Sequence, residues 1–365
     1  MRPLLPQPVD PKVPNIQGQV VRRIESLARG YGAGMKLPTM VELAKSLGVT
    51  VSTVDRSLGR LEEMGIIRRK RGSGIYVSSR IDQKRIGLVF GRNVFAAGSS
   101  PFYRLLMERC EKRAQEHNEI FSFYLDTPQL GRGEDVNIHH DLADALTRGR
   151  LDGVLVANKR GPEQDRVLRS YGLPTVVLSQ NTAGYGLVTF DAEDFLEQAI
   201  DALHDQGCHS IGLLGTLPVH RESFEKIASR KNATIDRGWV HCLPGPDEVS
   251  PNSYESEGRA MVRYLYEKNR KNFPGALIVK DDMLARGVCS EFGNLGAEIG
   301  RDIHLVAQSN KNCDVLYDWE DRLSLIEFDS NEIVEAMFSE LEALMKQPDE
   351  PRPPVVVKGH LKAKL

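Results

Sequence analysis

Residues 37–77, LPTMVELAKSLGVTVSTVDRSLGRLEEMGIIRRKRGSGIYV, constrain what this chain folds into more than any other stretch. Thr39 follows a proline and suits the N-cap of a helix. Leu43, Ala44 and Leu47 then form one apolar stripe, and Gly48 stands where a left-handed helix stop belongs. Thr50 is placed to cap a second helix, in which Val54, Leu58 and Leu61 recur at i, i+4 and i+7. Gly65 ends that helix. Ile66-Ile67 and Ile75-Tyr76-Val77 read as two short strands, with Arg68, Arg69, Lys70, Arg71, Gly72, Ser73 and Gly74 between them. Two helices followed by a basic hairpin make a winged helix-turn-helix. Its second helix suits a DNA major groove, and its cationic hairpin suits the flanking phosphates. The plain alternative is a small helical domain with a solvated basic loop, which the order and spacing of these signals disfavour.

The stretch resembles the DNA-binding domain of the GntR family of bacterial regulators. The resemblance is carried by Leu37-Pro38-Thr39, Glu42-Leu43-Ala44, Leu47-Gly48-Val49-Thr50, Ser52-Thr53-Val54, Leu58, Leu61, Gly65, the Gly72-x-Gly74 wing and Tyr76-Val77. In that family arginines that touch DNA commonly stand at the positions held here by Val41, Val51 and Asp55. Ser52, Thr53 and Arg56 are therefore the leading candidates for groove contacts. Thr39, Thr50, Arg60, Arg68, Arg69, Lys70, Arg71 and Gly72 complete the expected DNA-contacting set. Val51 either extends the apolar stripe into the core or meets a thymine methyl.

The formal net charge of −2 over 365 residues conceals an asymmetry. Residues 1–80 hold 14 Lys+Arg and 6 Asp+Glu, a net of +8; the remainder holds 34 against 44, a net of −10. A basic head on an acidic body points to a nucleic-acid partner for the head alone. The chain is long enough for two or three domains. Its cysteines, Cys110, Cys208, Cys242, Cys289 and Cys313, include no CxxC pair, which suits free thiols in a reducing compartment. No zinc spacing and no cofactor motif stands out. No apolar run approaches the ~18 residues of a membrane span, and the Pro-rich start lacks the apolar core of a signal peptide. The expected location is the cytoplasm, with no membrane partner.

In chain order, residues 1–14 are expected to form a disordered arm and 15–78 the winged domain. Asn15 would cap a first helix bearing Ile16, Val20, Ile24 and Leu27 on one face. Residues 79–84 are expected to link it to a body spanning 85–365. There, apolar strands at 85–90, 120–125, 153–156 and 175–178 alternate with helices at 102–118, 136–148 and 163–171. The pattern restarts with a strand at 187–191, a helix at 192–206, and strands at 211–214, 239–242, 276–279 and 303–307. Such alternation argues an α/β class with parallel doubly wound sheets, in two lobes with a cleft between them. The expected division puts 85–190 and 309–327 in one lobe, and 191–308 and 328–365 in the other.

This body resembles the effector domain of the LacI/GalR family, which shares the type I fold of periplasmic sugar-binding proteins. IGLVF, LDGVLVAN, LPTVVLSQ, GLVTFDAEDF, QGCHSIGLLG, ALIVKDDMLARGV, DIHLVAQSN and RLSLIEFD carry the likeness in order. Phe195 replaces a smaller residue, and Ser309-Asn310 stands where an acidic pair is common. The short minor-groove helix of LacI-type proteins is missing. The combined architecture is similar to that of the arabinose repressor type.

Ligands of open α/β sheets bind beyond the carboxyl ends of the strands. That rule nominates the segment Gly98 to Tyr103, with Ser100, Phe102 and Tyr103, and then Asp126, Asn158, Arg221, Asp281, Gln308 and Asp329. A sugar needs carboxylates and an arginine for its hydroxyls and a ring for its apolar face, which Asp281, Arg221 and Phe102 supply. By resemblance, Asp281 matches the acidic residue of the family's effector site. The structural alternatives are helix N-caps for Asp126 and Asp329, a core position for Phe102 and a surface ion pair for Arg221. No catalytic motif and no metal-ligand spacing is found. The expected function is a DNA-binding regulator, commonly a repressor, that responds to a small polar effector, a sugar or sugar-like molecule, as a homodimer on an operator. The competing readings are constitutive DNA binding with a vestigial pocket, a cytoplasmic solute-binding protein and an enzyme.

Overall fold

The computed structural model describes residues 5–9, 16–90, 99–125, 140–157, 168, 170–179, 186–243, 253–348 and 350–362. Asn15, Gly98, Asp126, Asn158 and most of the helix expected at 163–171 lie outside the described residues.

The winged domain comprises α1 (Ile16–Tyr31), α2 (Met40–Leu47), α3 (Val51–Glu63) and the hairpin β1 (Ile67–Lys70) and β2 (Gly74–Val77). Local sequence shapes each end. Thr39 and Glu42 form a reciprocal capping box at α2: Glu42 N–H donates to Thr39 Oγ1, and Thr39 N–H donates to the Glu42 carboxylate at 2.7 Å. Gly48 stops α2 at φ 68°, a conformation that costs glycine nothing. Thr50 caps α3 by accepting from Thr53 N–H. Val20, Ile24, Leu43, Leu47, Val54, Leu58, Leu61, Ile67, Ile75 and Val77 meet in one buried core. Two expectations change here. Residues 79–84, expected as a linker, join the two domains while packing on the first, because Ile81 is buried in this same core and its carbonyl accepts from Arg29 at 3.1 Å. Residues 5–9, expected within a disordered arm, lie along α2, where Val9 N–H donates to Leu47 O at 3.0 Å.

The body has two sheets. Lobe one is built on β3 (Arg85–Phe90), β4 (Ile120–Leu125), β5 (Gly153–Ala157), β6 (Thr175–Leu178), β7 (Leu187–Phe190) and β13 (Val355–Val357), in the order β13-β7-β6-β5-β3-β4. Helices α4 (Phe102–Glu116) and α5 (His140–Thr147) belong to it. Lobe two is built on β8 (Ser210–Gly215), β9 (Thr234–Cys242), β10 (Ala276–Val279), β11 (His304–Asn310), β12 (Ser324–Phe328) and β14 (His360–Leu361), in the order β14-β12-β11-β10-β8-β9. Its helices are α6 (Ala192–His204), α7 (Val219–Arg230), α8 (Tyr254–Lys268) and α9 (Asp282–Asn294). β3, β5, β6 and β10 are buried throughout, as parallel strands covered on both faces must be. At the crossing of α8 and α9, a Cβ on Gly287 would sit 2.0 Å from Glu255 O, so only glycine admits this approach.

The division of the C-terminal third differs from expectation. β12, expected in lobe one, pairs with β11 in lobe two. α10 (Ser330–Lys346), expected in lobe two, packs on lobe one, where a Cβ on Gly153 would meet Met345 and Leu341 and where Glu342 pairs with Arg113 at 2.8 Å. β13 stays in lobe one and β14 returns to lobe two. The chain therefore crosses between lobes at Asp191, at Asp329 and at Lys358-Gly359. At these crossings Phe190 of lobe one meets Phe328 of lobe two edge-on, with ring centroids 4.9 Å apart.

Candidate DNA-reading surface and effector cleft

On α3, Val51, Ser52, Asp55 and Arg56 face solvent, while Val54, Ser57, Leu58 and Leu61 are buried. Val51 is 43% exposed, so it does not extend the apolar stripe inward. Val41 of α2 is 66% exposed on the same unit. Thr39 and Thr50 cap α2 and α3, and Thr53 Oγ1 lies 2.9 Å from Thr50 Oγ1.

The cations of the basic hairpin, Arg68 to Arg71, are all exposed, as is Gly72, and they differ in what they face. The Lys70 ammonium lies 5.3 Å and the Lys36 ammonium 5.9 Å from the centroid of the Tyr76 ring. Arg69, expected on phosphates, turns back to α3. Its Nη1 donates to Asp55 at 2.9 Å and its Nε to Glu62 at 2.8 Å. Burial would raise the Glu62 pKa, but the Arg69 backbone N–H and guanidinium outweigh it and hold it below the usual carboxylate value. Asp55, where the resembling family commonly has arginine, is thus tied to the wing. Arg60, also expected on DNA, points to lobe one, where Nη2 donates to Thr147 O at 3.4 Å. Arg56 and Arg60 share a cavity of about 390 Å³ with Glu63, Thr147 and Arg148. The two arginines lie one helical turn apart, on the same side of α3.

The C-terminal end of α3 is docked on lobe one. Arg85 Nη1 donates to Met64 O at 3.3 Å, while its Nε and Nη2 hold Asp152 at 2.9 and 2.5 Å. Arg148 pairs with Glu63 at 3.1 Å.

The candidate cleft lies where Ser100, just before α4 of lobe one, meets Asp282, beyond the carboxyl end of β10 in lobe two. Ser100 Oγ donates to Asp282 Oδ2 at 3.2 Å, across the lobes. Asn310 Nδ2 donates to the same oxygen at 3.0 Å. Ser100 Oγ also accepts from Phe102 N–H at 3.2 Å. Asp281 caps α9, accepting from Leu284 N–H at 2.8 Å. The adjacent carboxylates therefore turn to different partners, which is not an acid–base pair aimed at one atom. Burial raises both pKa values, and each carboxylate's proximity to the other adds to this at Asp281.

The remaining nominees scatter. Phe102 is a core residue, 8% exposed and edge-on to Tyr103 at 5.6 Å. Tyr103 is half-buried and also meets Phe90 edge-on. Arg221, in the first turn of α7, is exposed and donates to Val240 O at 3.1 Å, so its partner is a backbone carbonyl and not a carboxylate. Asp329 caps α10 and holds Lys311 at 2.9 Å, at a crossing between lobes and away from Asp282. Gln308 is buried with its Oε1 accepting no hydrogen bond among the described residues. Of the nominees, Ser100 comes together with Asp282 and Asn310, two residues that the strand-end rule passed over. Both stand within a residue or two of a nominated position, so a window at each strand end, rather than one residue, would have found them. Lys280, buried at the end of β10, was missed because an apolar strand reads as core.

Among the described residues, no helix is long and apolar enough to cross a membrane, and no cluster of three His, Cys, Asp or Glu could hold a metal.

Comparison with known proteins places these features. The family model "Bacterial regulatory proteins, gntR family" matches residues 16–77, and that of the "Periplasmic binding protein-like domain" matches residues 200–364. The HTH-type transcriptional regulator GalR of Streptococcus thermophilus is 23% identical over 295 residues, covering 74% of this chain and 82% of its own. The HTH-type transcriptional repressor MelR of Bacillus subtilis is 22% identical over 272 residues, covering 72% and 74%. Among solved structures, the transcriptional regulator CelR–cellobiose complex superposes with a TM-score of 0.62 at 17% identity, covering 96% of this chain and 99% of that one. A LacI-family regulatory protein from Chloroflexus aggregans superposes at 0.60 and 16% identity, covering 77% and 97%. The chain is a DNA-binding transcriptional regulator in which a GntR-family helix-turn-helix is joined to a LacI/GalR-type periplasmic-binding-protein-like domain.

Proposed function

We propose that this regulator is a repressor whose operator affinity is set by a small polar, sugar-like effector held between the lobes. The observation that carries this reading is the Ser100–Asp282 hydrogen bond, which joins the lobes at the strand ends where such folds bind ligands. Three crossings beside one another make a hinge about which the lobes part and close. The effector shifts the equilibrium by its differential affinity for the two arrangements. Because α3 is docked on lobe one through Arg85, Arg60 and Arg148, movement of the lobe carries the recognition helix with it. A homodimer would place two such helices in half-sites about one helical turn apart, or a multiple of it. β4 is the edge strand of lobe one among the described residues, and with Phe123 48% exposed it offers a surface for a second copy. The relatives named above are transcriptional regulators by name, and this protein is read with them as acting on double-stranded DNA in the cytoplasm, without a catalytic step.

The test uses the full chain. Melting temperature is screened against sugars and sugar derivatives, and operator affinity is then measured with and without each compound that shifts it. A stabilising compound that leaves operator affinity unchanged would sink the reading of an effector-controlled repressor.

A further inference from the structure

Lys280 has no part in the mechanism so far. It follows directly on β10, a central strand of lobe two, and is 2% exposed. Its Nζ lies 4.1 Å from the centroid of the Phe195 ring, in the first turn of α6. Among the described residues it makes no ion pair and no side-chain hydrogen bond. The nearby charged groups are already engaged. Asp281 caps α9, Asp282 is held by Ser100 and Asn310, and Asp191 caps α6 and acts on Lys280 only from beyond ion-pair distance. His220 is buried, and burial together with the Lys280 charge pushes its pKa down to about 3, so it is neutral and offers no counter-charge. On the neighbouring strand, Gln308 follows Ala307, the partner of Val279, and so lies beside Lys280. Among the described residues its Oε1 accepts no hydrogen bond.

A buried ammonium without a counter-ion is costly, and a buried amide oxygen without a donor adds to that cost. Burial lowers the Lys280 pKa to about 7, so the amine takes up its proton readily once an anion is beside it. An apolar side chain of the same length would fill the space over Phe195 at less cost. We propose that the effector carries an acidic group, a carboxylate or a phosphate, that pairs with Lys280 while an adjacent hydroxyl donates to Gln308 Oε1. The class is a sugar acid or sugar phosphate rather than a neutral sugar. This rests on the cleft being the effector site, since Lys280 stands at the carboxyl end of β10 directly before Asp281 and Asp282.

The experiment is calorimetric titration of the full chain with matched sets: neutral aldoses, the corresponding aldonates and uronates, and the corresponding sugar phosphates. At least one acidic member binds about tenfold or more tightly than its neutral parent. Lys280→Met loses on the order of 100-fold of that affinity, as removal of one partner of a buried charge pair does. It keeps operator binding and a cooperative melt, and Lys280→Gln serves if the methionine variant does not fold. Preference for carboxylates or for phosphates tells the two sources apart. Neutral sugars binding as tightly as their acidic partners, or an affinity indifferent to both substitutions, overturns the acidic effector and leaves the cleft standing as a sugar site. Binding by no member of the panel overturns both.

Discussion

Arg85 bridges two domains: its guanidinium donates to Met64 O, at the end of the recognition helix, 3.3 Å away, while holding Asp152 of lobe one. A cation at a helix C-terminus also meets the negative end of the helix dipole. The docking of the winged domain on lobe one is thus mainly polar. Replacing Arg85 with Met should free the helix end and shrink the ratio of operator affinities with and without effector, a coupling that in such systems is about 1–3 kcal/mol. Operator titrations at zero and saturating effector measure that ratio. If it is undiminished, coupling runs by another route.

The hairpin cations should separate into two kinds. Substituting Arg68, Lys70 or Arg71 with Gln should each lower the slope of log affinity against log salt by about 0.9. Arg69→Gln should lower thermal stability instead, because it breaks the pairs to Asp55 and Glu62, and should leave the slope nearly unchanged. A full unit of slope lost at Arg69 would mean that it leaves α3 for the phosphates when DNA is bound.

Val51, exposed at the start of α3, is placed for a thymine methyl. Val51→Ala and replacement of that thymine by uracil in the operator should each weaken binding, and together they should cost little more than one alone. Additive losses would show that the two groups do not touch.

The bond between Ser100 and Asp282 should favour the closed lobes. Ser100→Ala removes a donor to a carboxylate, a bond worth about 1.5–3 kcal/mol in favourable cases. Effector affinity should fall about tenfold or more, with operator affinity in its absence preserved. Equal effector affinity in the variant would show that the bond is not part of closure.

Lys280 also makes a statement about pH. Its pKa in the folded chain, about 7, lies below the ordinary 10.5. Between those values the unfolded chain binds a proton that the folded chain does not, so the penalty is full at and below pH 7 and fades as pH rises toward 10.5. Without effector, Lys280→Met should therefore melt above the parent at neutral pH, and the gap should narrow steadily in alkali. Melting curves of both proteins across that range decide it; a gap independent of pH would mean that the lysine keeps its proton when buried.

The sequence by itself determined the winged helix-turn-helix, the alternation of strand and helix in the body, and most strand positions. Those features are local. A threonine cap, a left-handed glycine stop, an apolar stripe at helical spacing and a run of buried-type residues each act within a few positions, so Thr39, Gly48, Leu58 and the strand at 85–90 were legible without the fold. Only the tertiary structure decided which sheet received β12 and which lobe received α10, because pairing partners carry no mark in the strand itself. It also turned Arg69 toward Asp55 and Glu62 and Arg60 toward Thr147, since a cation's place in the sequence does not say which carboxylate or carbonyl the fold brings beside it. Ser100 and Asp282 lie 182 residues apart, and Lys280 reads as the end of an apolar strand. Their placement comes from two sheets closing on each other, a long-range packing event that no local pattern encodes.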